Sequence, residues 1–122
     1  MKQSMRIRVD YIAPSLNSIY AGIHWSKRKK HADAAHLATK LALRGHRMRF
    51  NAVSLDFYPM IRGRRFNCSN YAYGCKLVED QIVRCGLLTD DSHKYVKRFT
   101  IHAPESVSKP ENSHLIVVIS ET

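Results

Sequence analysis

The chain has 122 residues, 44% of them hydrophobic and 25% charged, with 20 Lys and Arg against 10 Asp and Glu for a net charge of +10. That length holds one core and not two, and the near-average composition excludes a disordered tail, a collagen-like chain and a coiled coil. Such an excess of cations on a small domain favours a polyanionic partner, of which nucleic acid is the commonest, over an inert basic surface.

In chain order, a half-buried strand is predicted over residues 5–12, because Met5, Ile7, Val9 and Tyr11 alternate with Arg6, Arg8 and Asp10. Pro14-Ser15-Leu16-Asn17 breaks it. A helix is expected from an N-cap at Ser26 to about Arg44, burying Ala34, Leu37, Ala38, Leu41 and Ala42 at spacings of three and four, with Gly45 ending it. Residues 52–58 alternate again, with Val53, Leu55 and Phe57 opposite Ser54, Asp56 and Tyr58, and Pro59 is expected to close that strand. A polar, basic loop from Arg62 to Asn70 follows. The second helix spans about 71–85, with Ser69 or Asn70 as N-cap, Cys75, Val78, Ile82 and Cys85 facing inward as core, and Gly86 as the stop. A turn over 87–91, a strand over 95–102 and a loop over 103–113 lead to residues 115–119. That last run is continuously apolar and β-branched, the pattern of a central strand buried on both faces. The order β-α-β-α-β-β predicts an α+β fold over residues 1–122, a single domain with one mixed sheet and two main helices packed on it.

The run 115–119 is the longest apolar one and far too short to cross a membrane. The Met-Lys start leads into alternating residues, so no secretory leader is expected. The cysteines Cys68, Cys75 and Cys85 are odd in number and form no C-x-x-C, which points to a reducing, cytoplasmic setting rather than a disulfide frame or zinc site. His31 and His36 stand five apart, wrong for two ligands on one helical face, and all seven histidines are read as structural or phosphate-contacting.

The cations fall into three groups. Lys27, Arg28, Lys29 and Lys30 open the first helix just after Trp25, Arg62, Arg64 and Arg65 precede the polar loop, and Lys94, Lys97 and Arg98 follow an Asp pair. Cations at a helix N-terminus oppose the macrodipole, a cost that a bound phosphate offsets; a solvated helix start is the plainer alternative. Each carboxylate near a basic loop repels phosphate and so calls for a reason. Asp90-Asp91 is the obvious pair, read either as a turn signal or as oxygen ligands for a hard cation such as Mg²⁺, which nucleases use to activate water. Lys76 and Asp80 stand four apart on the second helix, as a surface ion pair or as a lysine reaching a scissile phosphate.

Two stretches, read in order, carry a family resemblance. Pro14-Ser15-Leu16-Asn17, Tyr20, Trp25 and Arg28 look like a P-S-x-N…Y…W-x-x-R opening, and Asn67-Cys68-Ser69-Asn70, Lys76, Asp80, Gly86 and Asp90-Asp91-Ser92 follow the spacing of D-x-D-N, a helix with Lys and Asp, and G-x-x-x-D-D. Together they resemble the RusA-type Holliday junction resolvases, crossover junction endodeoxyribonucleases common in phages and prophages, over most of residues 5–121. The resemblance implies a homodimeric endonuclease, dependent on Mg²⁺ or Mn²⁺, that nicks two opposed strands of a four-way DNA junction in DNA recombination and repair, in the cytoplasm of a bacterial or phage-infected cell. It implies a catalytic set of Asp91, Asp90, Lys76, Asn67, Asn70 and Asp80, and a metal set of Asp91, Asn67, Ser69 and Asp90. DNA contacts are expected from Lys27, Arg28, Lys29, Lys30, Arg62, Arg64, Arg65 and Lys94.

The family has aspartates where this chain has Asn67 and Ser69, neither of them charged. Three readings follow: a different carboxylate set drawn from Asp90, Asp91 and Asp80 or Asp56; a protein that binds branched DNA without cutting it; or an Asp→Asn replacement at position 67. A basic RNA-binding protein also explains the charge but leaves Asp90-Asp91 and the motif spacing without a reason.

Overall fold

Period-two alternation builds the sheet. In a computed structural model, which describes residues 2–22, 24–108 and 111–122, the strands are β1 (Ser4–Val9), β2 (Val53–Ile61), β3 (Val96–Ile101), β4 (Glu105–Ser106) and β5 (His114–Glu121), in the order β1-β5-β2-β3 with β4 also on β2. β1 and β2 flank β5 in antiparallel register, while β3 and β4 run parallel to β2. The helices among the described residues are α1 (Leu16–Tyr20), α2 (Trp25–Ala42) and α3 (Ala72–Arg84), so the fold is a single α+β domain on a mixed sheet, as the residue pattern predicts. α3 makes the crossover that a parallel β2–β3 pair requires.

Register decides which side chains meet. Met5, Ile119 and Leu55 form one row across β1, β5 and β2, and Ile7, Val117 and Phe57 form the next. All six are buried, and Cys75, Val78 and Ile82 of α3 pack on them together with Leu43, Phe50, Leu87 and Leu88. Burying each such aliphatic or aromatic side chain is worth about 1.5–3 kcal/mol. α2 packs on α3 and β1, so the two long helices cover one face of the sheet.

Several boundaries differ from expectation, each for a local reason. β1 ends at Val9, and the break at residues 14–17 opens the short helix α1, with the Ser15 hydroxyl accepting from Ser18 N at 3.2 Å. α2 is capped by His24, whose Nδ1 accepts from Ser26 N at 3.2 Å, so Ser26 is already helical. Its fully buried line is Ala35, Thr39 and Leu43; of the expected stripe, Ala38 and Ala42 are half-buried against the core, while Leu37 and Leu41 are 58% and 55% exposed. Apolar residues at 34, 35, 37, 38, 41, 42 and 43 spread around the second half of α2, and one residue of phase rotates the stripe by 100°. Thr39 is admitted to the core because its hydroxyl donates to Ala35 O at 2.8 Å. α3 is entered directly from a 3-10 turn, Cys68–Tyr71, so Tyr71 stands at the N-cap in place of Ser69 or Asn70 and makes no side-chain cap. Cys85 is exposed, because α3 has ended and Gly86 turns the chain at φ +85°.

Pro59 does not close its strand. It pairs with Leu115 inside β2, flanked by β5 on one side. Val53 N bonds to Tyr95 O, and Phe57 O and Ile61 O accept from His102 N and Val107 N, so the odd-numbered residues of β2 turn their backbone polar groups away from β5. Pro59 lacks its N–H at the gap between the partners Ile101 and Glu105, where β3 has ended and β4 has not begun. β4 itself, two residues long, lies inside the expected loop. β5 is central as expected, but its second face is less covered than its first: Ile116 is buried and Val118 only half-buried.

Candidate functional site

The i, i+3 and i+4 positions of a helix share a flank, and on α3 these are Lys76, Glu79 and Asp80. Gly86 reverses the chain, the buried Leu87 and Leu88 pin its return, and Asp91 comes back beside the same flank. Lys76 Nζ then lies 2.5 Å from Asp91 Oδ2, 2.8 Å from Glu79 Oε1 and 3.2 Å from Asp80 Oδ1. One oxygen from each of the three carboxylates lies within 4.8 Å of the others. Ala72, His93, Val96 and Phe99 complete the cleft around Lys76, Glu79 and Asp91.

The electrostatics are unequal. Burial pushes the Glu79 carboxyl above its ordinary range, opposed by Lys76, and its side chain is only 7% exposed. The hydrogen bond from Lys76 and that cation's charge hold Asp91 below the ordinary carboxylate range. Burial alone would lower Lys76, but its hydrogen bonds to Asp91, Glu79 and Asp80 outweigh this and hold the amine well above its usual value. Lys76 therefore stays protonated. With all three carboxylates ionised and Lys76 protonated the group carries a net charge of −2, with oxygen atoms of three side chains within mutual reach.

Of the expected catalytic residues, Lys76, Asp80 and Asp91 come together. Asp90 is exposed and is not one of the three carboxylates around Lys76, though its side chain reaches that of Asp91. Asn70 Oδ1 accepts from Asn17 N at 3.3 Å, tying the start of α1 to the 3-10 turn, so the two halves of the motif resemblance meet through a structural hydrogen bond. Asn67 and Ser69 are exposed around that turn, and neither lines the cleft. Asp56 lies on the uncovered face of the sheet, 13% exposed, beside His102. Glu79 is the residue sequence reasoning missed. Its one signal was the spacing of three from Lys76, which reads as a surface pair until burial is known. Cys75 belongs to the core, and burial pushes its thiol far up.

The expected DNA contacts are all exposed. Lys27, Arg28, Lys29 and Lys30 occupy the first turns of α2, where Lys29 pairs with Asp33 at 3.0 Å. Tyr73 OH donates to Arg28 O at 3.3 Å, so the start of α2 sits beside the start of α3. Arg62, Arg64 and Arg65 flank the turn at Gly63, and the Arg64 guanidinium stands 5.8 Å from the Phe66 ring centre. Lys94 lies between Asp91 and β3. No helix among the described residues is long and apolar enough to cross a membrane. No known family model matches the chain, and no curated protein matches it in sequence.

Proposed function

We propose that the chain is a divalent-cation-dependent, structure-selective endonuclease of the RusA type, which nicks opposed strands of a four-way DNA junction as a homodimer. The observation that carries this reading is the convergence of Lys76, Asp80 and Asp91, positions singled out by motif spacing, with Glu79 as an added carboxylate. Asp91, Asp80 and Glu79 would hold the cation, and Lys76 would swing from them to a phosphate oxygen. A Mg²⁺ or Mn²⁺ ion held there would supply water activation and charge compensation for the departing oxygen. The chain's own part is to keep Lys76 protonated, Asp91 ionised and the oxygens aimed at one point. The exposed cations at the start of α2 and around Gly63 would hold the backbone phosphates, and a two-fold dimer would present two such sites to a junction of approximate two-fold symmetry.

A second reading, a branched-DNA-binding protein that does not cut, is favoured by one observation: Lys76 already sits among the three carboxylates, and Asn67 and Ser69 bring no further charge. The discriminating experiment incubates the chain with a synthetic four-way junction in Mg²⁺ or Mn²⁺. Symmetric nicks that vanish in Asp91→Asn support the nuclease. Tight binding without nicks, unchanged by Asn67→Asp, supports the binding protein; nicking gained in Asn67→Asp identifies a nuclease silenced at that position.

A further inference from the structure

The sheet face turned away from α2 and α3 carries a second built feature. Tyr58 stacks on His102 with ring centres 4.1 Å apart and planes 8° from parallel. His102 Nε2 lies 2.9 Å from Asp56 Oδ1, and Arg98 Nη2 lies 3.8 Å from Asp56 Oδ2. The half-buried carboxylate thus fixes the imidazole, and the imidazole fixes the phenol ring. Tyr58 also walls a groove of about 270 Å³ completed by Ile116, Val118 and Met60, with Arg6 and Glu105 contributing charge. A sheet face left to water alternates to polar residues, yet positions 58, 60, 116 and 118 here are aromatic or apolar.

We propose that this groove takes one unpaired nucleotide, its base lying on Ile116 and Val118 against Tyr58, its amino or ring N–H groups toward Glu105 and its phosphate toward Arg6. An apolar slot with an aromatic wall, one cation and one acceptor matches the chemistry of a base joined to a phosphate. A base within a duplex is already stacked and cannot enter, so the occupant is a nucleotide of a single strand or a free nucleotide. The net charge of +10 and the 67% exposed Arg98 beyond the Tyr58–His102 stack favour the strand, whose next phosphate Arg98 would meet. The groove lies across the sheet from Lys76, and its binding does not depend on nicking.

The test is a fluorescence anisotropy titration of a labelled short single strand and of the matching duplex, with the thermal midpoint of every variant recorded. Tyr58→Ala should weaken single-strand binding about tenfold to a hundredfold, the range for losing one stacked base, and leave duplex binding within about twofold. Tyr58→Phe, which keeps the ring, should bind like the parent. Arg6→Gln should weaken the single strand and reduce its salt slope by about one. Competition by a deoxynucleoside monophosphate at strand-like affinity would assign the groove to free nucleotides; much weaker competition assigns it to the strand. A folded Tyr58→Ala that binds the single strand as the parent does, or a parent that binds neither strand nor mononucleotide, overturns the proposal.

Discussion

At Lys76 one ammonium answers three carboxylates, one of them buried, so removing it exposes their mutual repulsion. A paired charge buried fully costs about 3–5 kcal/mol to orphan. Half of Lys76 is exposed, so Lys76→Met should cost about 1–2 kcal/mol, and Mg²⁺ should raise the thermal midpoint of this variant more than that of the parent. No shift in either would mean the carboxylates do not gather a cation. His36 offers a separate test. Its Nε2 is buried without a partner among the described residues, and its Nδ1 lies 3.1 Å from Arg84 Nη1. Burial and the Arg84 charge lower its pKa against the weaker pull of Asp80 and Asp33. The unfolded chain then takes up a proton that the folded one resists. The stability contribution is full above the unfolded value of about 6.5 and is lost as pH falls below it. Thermal unfolding across that range should show a shallower loss in His36→Gln than in the parent; parallel slopes would count against it. Lys76, Asp80 and Asp91 were legible in the sequence through their spacing, whereas Glu79 was not, because a helical carboxylate three residues from a lysine looks the same whether exposed or buried.

At the scale of elements, the strands were the legible part: β1 and β2 bury alternate residues, where period two leaves no choice of face, and β5 buries the continuous run expected of a central strand. α2 was not. Ala34, Ala35, Leu37, Ala38, Leu41, Ala42 and Leu43 leave its inward phase undetermined by hydropathy, and the packing against α3 and β1 buries Ala35, Thr39 and Leu43 fully and the expected Ala38 and Ala42 in part. The consequence is measurable by denaturant unfolding. Leu43→Ala should cost about 2–4 kcal/mol as a buried truncation, and Leu37→Gln about 0.5 kcal/mol or less as a surface change. The reverse order would restore the stripe that the sequence suggested. Pro59 misled in the same way: a proline reads as a strand end, and only the pairing partners show that its missing donor falls in the gap between β3 and β4. β4 pairs only two residues with β2, too few for any periodic signal.

Over the whole molecule, charge is divided by location. The acidic group sits on the flank of α3, while exposed cations occupy the start of α2 and the turn around Gly63. Phosphate contacts of this kind release counterions on binding. Arg64→Gln combined with Arg65→Gln should therefore lower junction affinity and reduce the slope of log K against log salt by about two; an unchanged slope would remove that turn from the interface. The central claim, that the carboxylates around Lys76 are a catalytic centre, is tested most directly through Glu79, the member that structure and not motif spacing supplied. The measurement is the single-turnover nicking rate of a four-way junction by the parent and by Glu79→Gln in Mg²⁺, with junction affinity recorded alongside. The account predicts nicking by the parent, a rate lower by about a hundredfold in Glu79→Gln and affinities that agree within about twofold. A parent that does not nick, or a Glu79→Gln variant that nicks at the parent's rate, would contradict it.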